Sequence, residues 1–222
     1  MDDAVTHATH HRIVVAGEPV ELLPERAVWW PAASTLLVAD LHWGKSETFH
    51  HAGIPVPAGV LADDLGRIDT AIARCSAERV TVLGDLIHGR VGVDASVVGR
   101  VAQWRGRHPQ LVVELVPGNH DRHLRELPES WRIDVLDTAV ERGPFALRHH
   151  PDPLPGRFVW SGHLHPTVRL AGGGDELRLP CFHLGADVGV LPAFSAFTGG
   201  VTVRAATGER IYAIAEDHVL PL

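Results

Sequence analysis

Four short apolar runs in this chain each break into a cluster of carboxylate, amide and imidazole groups. Leu36-Leu37-Val38-Ala39 leads into Asp40-Leu41-His42, and Val80-Thr81-Val82-Leu83 into Gly84-Asp85. Residues 111–117 lead into Gly118-Asn119-His120-Asp121, and Phe158-Val159-Trp160-Ser161 into Gly162-His163-Leu164-His165. Apolar runs of this length, without polar alternation, suit strands buried on both faces. Polar groups at the carboxyl ends of such strands converge in the crevice where α/β folds build their sites. Four such clusters in 222 residues point to a single metal centre at one edge of a sheet.

The segments between the runs support an α/β layout. Residues 58–74 carry Val60, Leu61, Leu65, Ile68, Ala71 and Ile72 at helical spacing, with charged residues between them. A second helix is predicted over residues 96–107, and a short one over 123–127, stopped near Pro128. The chain opens with a hairpin, residues 12–15 and 20–22 around Gly17-Glu18, and a further strand at 28–30. After residue 132 short strands dominate: 133–136, 139–141, 146–148, 158–160, 167–170, 176–179, 200–204 and 210–214. Residues 171–175, rich in glycine, form a hairpin turn between two of them. A βαβαβ start and a strand-rich end predict a layered α/β protein with two packed sheets and helices outside. No linker or repeat interrupts it, so residues 1–222 read as one domain, with 1–11 as a mobile tail.

Composition excludes several classes of function. The net charge of −7 gives no support for a broadly basic nucleic-acid surface, although a local basic groove stays open. Cys75 and Cys181 lack the spacing of a disulfide framework or zinc knuckle. No apolar run is long enough to span a membrane, and Met1-Asp2-Asp3 does not begin a signal peptide, so a soluble cytoplasmic protein is expected. The 16 histidines are the anomaly; His7, His10 and His11, in the polar N-terminal stretch, read as incidental.

Asp40 and His42 alternate along a segment expected to be extended, which turns both to one side. Asp85 has two oxygens with which to bridge two cations, and its glycine neighbour permits close approach. The amide oxygen of Asn119 suits a hard cation. His120 and Asp121 resemble an acid/base histidine with an orienting carboxylate. His163 and His165 alternate again ahead of Pro166, which disfavours the helical region for His165. His149-His150, after another strand, offers one more imidazole. Taken singly, each cluster also fits a plain turn or a capping aspartate. Jointly they make a nitrogen and oxygen donor set without thiolate, suited to Mn²⁺, Fe or Zn²⁺. The donors are too many for one tetrahedral ion and match two ions sharing a carboxylate, about 3.5–4 Å apart. Lys45 (the only lysine), Arg90, Arg122 and His88 read as solvated positions near the clusters. Trp43 is a candidate for stacking on a base, whereas Trp29, Trp30 and Trp160 read as core.

Asp40-Leu41-His42, Gly84-Asp85, Gly118-Asn119-His120-Asp121, His149 and Gly162-His163-Leu164-His165 together resemble the signature of the calcineurin-like metallophosphoesterases. Residues 39–45, 52–57, 191–194 and 197–200 look more specifically like the bacterial ligase-associated metallophosphoesterases of the PdeM type, a group of DNA damage response endonucleases. The resemblance implies a four-layer αββα sandwich. It implies that Asp40, His42, Asp85 and His165 hold one divalent metal and Asp85, Asn119, His149 and His163 a second, Mn²⁺ foremost. His149 is chosen over His150 because the family ligand is the first polar residue after an apolar strand. His120, oriented by Asp121, would contact the phosphate and assist the leaving group. The implied reaction is attack of a metal-bridged hydroxide on a phosphodiester, with DNA as the expected substrate and a DNA ligase or helicase as a possible partner. The alternatives are a phosphodiesterase or phosphatase for nucleotides and other small phosphoesters, or a non-catalytic module of a repair complex.

Overall fold

The computed structural model describes residues 10–57, 59–123, 126–172 and 175–222. Its first sheet has seven strands in chain order: β1 (His11–Val15), β2 (Glu18–Leu23), β3 (Ala27–Trp30), β4 (Thr35–Val38), β5 (Arg79–Leu83), β6 (Val112–Val116) and β7 (Asp134–Val135). β1 to β4 form an antiparallel meander, and β4, β5, β6 and β7 run parallel. The crossovers carry α1 (Lys45–His51), α2 (Val60–Cys75) and α3 (Ala95–Arg107). The second sheet contains β8 (Ala139–Arg142), β9 (Phe145–Arg148), β10 (Phe158–Ser161), β11 (Pro166–Gly172), β12 (Asp175–Leu184), β13 (Val188–Val190), β14 (Val201–Thr202), β15 (Arg210–Ala215) and β16 (His218–Pro221).

The apolar runs are buried on both faces because each face meets a different layer. Leu36 and Val38 of β4 join Val80 and Val82 of β5 in a core completed by Leu61, Leu65 and Ile68 of α2 and by Val97, Val101 and Trp104 of α3. Leu37 and Ala39 point the other way, into a second core with Phe145, Leu147, Trp160, Phe182 and Leu184 of the second sheet. Each large apolar side chain so enclosed contributes about 1.5–3 kcal/mol. The result is the expected sandwich of two sheets. Among the described residues the covering helices α2 and α3 lie on the first sheet. The outer face of the second carries a small cluster of Val168, Cys181, Ile211 and Ala213.

Registers decide where the polar clusters go. Val38 pairs with Val82, and Leu83 with Val116, so β4, β5 and β6 finish side by side. In the second sheet β9, β10 and β13 are parallel, with Leu147 beside Trp160 and Ser161 beside Val190. Both sheets therefore present carboxyl ends at the same edge of the sandwich, and Gly162 N donates to His149 O at 3.1 Å across the second sheet's edge.

Several local expectations change. Position 58, the expected start of the α2 helix, lies outside the described residues, as do residues 1–9 of the expected tail. His11 is not tail but the first residue of β1, with its ring 4.9 Å from that of Tyr212. Of the short helix expected over 123–127, residues 124 and 125 lie outside the described residues; on either side there are 3-10 turns at Asp121–His123 and Glu129–Trp131. Asp121 explains the first turn, since its carboxylate is held by backbone amides of the site. β13 and β16, too short to read from periodicity, were not anticipated. Both thiols are free, and Cys181 is buried. No described helix is long and apolar enough to cross a membrane.

Asp64, on α2, is buried beside Arg67, whose guanidinium donates to it at 3.0 Å. Burial outweighs this contact and that of Ser195, and pushes the carboxyl up to about 6. A raised carboxyl binds its proton more tightly in the folded chain, so its contribution to stability falls as pH rises from about 4 to about 6. We predict that the stability of Asp64→Asn relative to the parent rises with pH across that window, as read by thermal melts at each pH. A constant difference would show that Asp64 titrates normally.

Candidate metal centre

The loops after β4 and β5 run side by side past the ends of their strands. Asp40 N donates to Gly84 O at 3.1 Å, His42 N to Asp85 O at 2.9 Å and Trp43 N to Leu86 O at 2.9 Å. The side chains do not reach the centre by extended alternation, as the spacing suggested. Asp40, His42, Asp85, His163 and His165 all have positive φ, between 49° and 72°. Each left-handed residue costs about 1–2 kcal/mol, and non-glycine residues held there cluster at functional sites. Left-handed turns, not pleats, swing these five side chains to one side.

Two donor sets result. In the first, His165 Nε2 lies 3.3 Å from Asp40 Oδ1 and 3.4 Å from His42 Nε2. In the second, His149 Nε2 lies 2.9 Å from Asn119 Oδ1, 3.1 Å from His163 Nδ1 and 3.5 Å from Asp85 Oδ1. Asp85 faces both, because its Oδ2 lies 3.9 Å from His42 Nε2. All seven residues expected as ligands are thus brought together. The centre is walled by buried Asp40, His42, Asp85 and His149 and opened by less buried Asn119, His163 and His165.

Hydrogen bonds behind the rings fix which nitrogens face inward. His149 Nδ1 donates to Leu83 O at 3.0 Å, and His165 Nδ1 to Gly199 O at 3.1 Å, leaving each Nε2 as a lone-pair donor. Burial, with His165 and Lys45 nearby, takes the His42 imidazole down to about 2, so it stays neutral. Burial and the neighbouring His149 and His150 also lower His163. Burial pulls His165 the same way, but Asp40 outweighs it and raises the net value. The neutral rings of His42 and His163 therefore bring lone pairs into the two sets, beside carboxylate and amide oxygens. Asp40 Oδ1 is fully buried with no hydrogen bond. Acceptors arranged like this need cations between them, and the residues present fit divalent metals with oxygen and imidazole ligands.

Two glycines allow the close packing. A Cβ at Gly118 would collide with the carboxylate and backbone nitrogen of Asp85, and one at Gly162 with Asp40 and Ala39. His150 borders the second set: it is half-buried, its ring packs 4.2 Å from that of His163, and His149, His150 and His163 bring ring nitrogens within 4.8 Å of one another.

His120 sits at the mouth, about one-third exposed, with Nε2 3.9 Å from Asp85 Oδ2. Its orienting partner differs from the expected one. Its Nδ1 donates to the carbonyl of His88 at 2.8 Å. Asp121 instead accepts from Gly118 N at 2.8 Å and Ile87 N at 3.3 Å, tying the β5 and β6 loops together. A carboxylate is drawn to those amides because the tight loop leaves them no other partner. His88, read from sequence as surface, stacks on His120 with ring centroids 5.2 Å apart. Its place three residues after Asp85 was the available signal. Trp43 is not free to stack on a base. It is buried and packs edge-on against Trp104 and Trp131.

The fold and donor set are those of a metal-dependent phosphoesterase. Among solved structures, the crystal structure of the Pseudomonas putida nuclease MPE is 38% identical in sequence, with a TM-score of 0.85 over 96% of this chain and 100% of that one. The chain belongs to the family of that metallophosphoesterase nuclease. The E. coli phosphoesterase Yfce is 14% identical, with a TM-score of 0.39 over 82% of this chain and 87% of that one. No family profile and no curated protein matches the chain.

Because a Cβ at Gly118 must displace Asp85, we predict that Gly118→Ala weakens Mn²⁺ binding about 10–100-fold. Calorimetric titration of the metal-free protein checks this. Affinity unchanged from the parent would remove Asp85 from the binding site.

Proposed function

We propose that this chain is a binuclear metal-dependent phosphodiesterase acting on nucleic acid, with DNA the favoured substrate, and that residues 1–222 act as one catalytic domain. The observation carrying the binuclear reading is that Asp85 presents one oxygen to each donor set. The nucleic-acid reading rests on likeness to a protein described as a nuclease. In this reading Asp40, His42, Asp85 and His165 hold one cation, and Asp85, Asn119, His149 and His163 the other. Mn²⁺ fits a shell of imidazole and oxygen without thiolate, as do Fe and Zn²⁺. A role in DNA repair beside a ligase or helicase belongs to the closer sequence resemblance of residues 39–45, 52–57 and 191–200.

When bound, the cations supply Lewis acidity toward phosphate and water. The chain's own groups do the rest. His120 Nε2 faces the centre while Nδ1 is anchored on the His88 carbonyl, so Nε2 is the atom that holds the proton passed to the departing oxygen. Asp121 positions this ring at one remove, by fixing the Gly118 and Ile87 amides on either side. His149 is the ligand and His150 its neighbour.

A metal-reconstituted panel tests the reading: a generic diester, a monoester, cyclic nucleotides, and single- and double-stranded DNA. Diester and DNA hydrolysis are expected, with monoester turnover far slower. Exclusive hydrolysis of nucleotides or monoesters would select the small-phosphoester alternative. Asp85→Asn is predicted to lower kcat/KM on the diester more than about 100-fold and to reduce metal stoichiometry. Near-full hydrolysis by that variant would defeat the bridging role. His149→Ala is expected to lose a metal that His150→Ala keeps, as counted by elemental analysis; the reverse pattern would exchange the two assignments.

A further inference from the structure

Residues 191–200 resemble a family segment yet supply none of the seven metal donors. The segment is held rigidly. Arg26 donates to the carbonyls of Ala193, Phe194 and Ser195 at 3.3, 3.5 and 3.0 Å, and Arg67 to Phe194 O at 2.7 Å. Phe194 N returns a bond to Ala39 O at 2.8 Å, one residue before Asp40. At its far end Gly199 O anchors His165. Between these fixed points stands Phe197, half-buried and outside all three hydrophobic clusters of the described residues.

Phe197 meets Phe49 of α1, another half-buried ring outside those clusters, edge to face at 5.9 Å. Phe49 is the outer member of a row of nearly parallel rings. It lies 6.2 Å from His88 at 20°, and His88 lies 5.2 Å from His120 at 23°. The row ends at the ring whose Nε2 faces Asp85. Lys45, the chain's only lysine, places its ammonium 5.6 Å from the Phe197 ring centre. An aromatic pair and a cation thus stand at the outer end of the row of rings that leads to His120, in a chain whose net charge is −7. Such a chain cannot rely on a broad basic surface to hold a polyanion, whereas stacking holds a base of any sequence.

We propose that Phe49 and Phe197 form a stacking site for a base flanking the phosphate under attack, with Lys45 beside it toward the backbone. This rests on the nucleic-acid reading above and names the residues that select such a substrate. Stacking on an aromatic side chain is sequence-tolerant, so the site favours a nucleotide over a bare diester without choosing among bases.

The test uses the full-length protein and two oligonucleotides of one sequence. One carries the fluorescent base 2-aminopurine beside the cleaved bond, and the other has an abasic residue there. Metal-free wild type is expected to quench 2-aminopurine fluorescence and to bind the base-bearing strand about tenfold more tightly than the abasic one. Phe49→Ala and Phe197→Ala should lose both the quenching and the discrimination, and Phe49→Trp should keep them. Metal content and melting temperature report folding, and Phe49→Leu serves if the alanine variant does not fold. Equal binding of the two strands by wild type, or discrimination kept by the alanine and leucine variants, would overturn the stacking site. Wild type that hydrolyses a small diester but neither cleaves nor binds either strand would overturn the nucleic-acid reading as well. Cleavage of both strands alike would overturn only the stacking site.

Discussion

The constraint on which the rest of the structure depends is electrostatic. Seven acceptor-rich side chains are packed at one edge of a sandwich, and Asp85 sits between two groups of them. Carboxylate oxygens, an amide oxygen and imidazole nitrogens in a mostly buried space are costly unless cations lie among them. The tautomer-fixing bonds from His149 to Leu83 and from His165 to Gly199 aim the lone pairs inward and hold them there. Divalent metal chemistry is therefore built into the backbone around the site, not only into its ligands.

That backbone is unusual for a reason. Two parallel strand sets, one per sheet, end at the same edge, and straight extensions of those strands would carry their side chains to alternate faces. Left-handed residues at five donor positions break the alternation and turn the donors inward. Gly118 and Gly162 then let neighbouring loops close onto Asp85 and Asp40. Local strain and close packing are offset by the large apolar cores on either side of the first sheet.

Much of this was legible in the sequence, for identifiable reasons. The run Leu36-Leu37-Val38-Ala39 read as a central strand because a strand facing two cores has no polar side, and the structure gives Leu36 to one core and Leu37 to the other. α2 was legible from its spacing of Leu61, Leu65 and Ile68. β13 and β16 were not, because three or four residues carry too little pattern. Trp43 was misread because a tryptophan beside a polar cluster looks accessible until Trp104 and Trp131 are seen to enclose it. The role of Asp121 was misread because adjacency in the chain suggested contact, while the turn sends its carboxylate to backbone amides instead.

The sequence by itself determined the kinds of donor, their order and their placement after buried strands, because residue chemistry and hydrophobic pattern are local properties. It also determined that thiolate and disulfide chemistry play no part in the framework. Only the tertiary structure decided that Asp85 faces both donor sets, that carbonyls of Leu83, His88 and Gly199 orient three of the imidazoles, and that Phe49 and Phe197 meet beside the centre. These depend on which loops lie within a few ångströms of one another. Strand register and backbone handedness set that, and neither is written in the composition of any single segment.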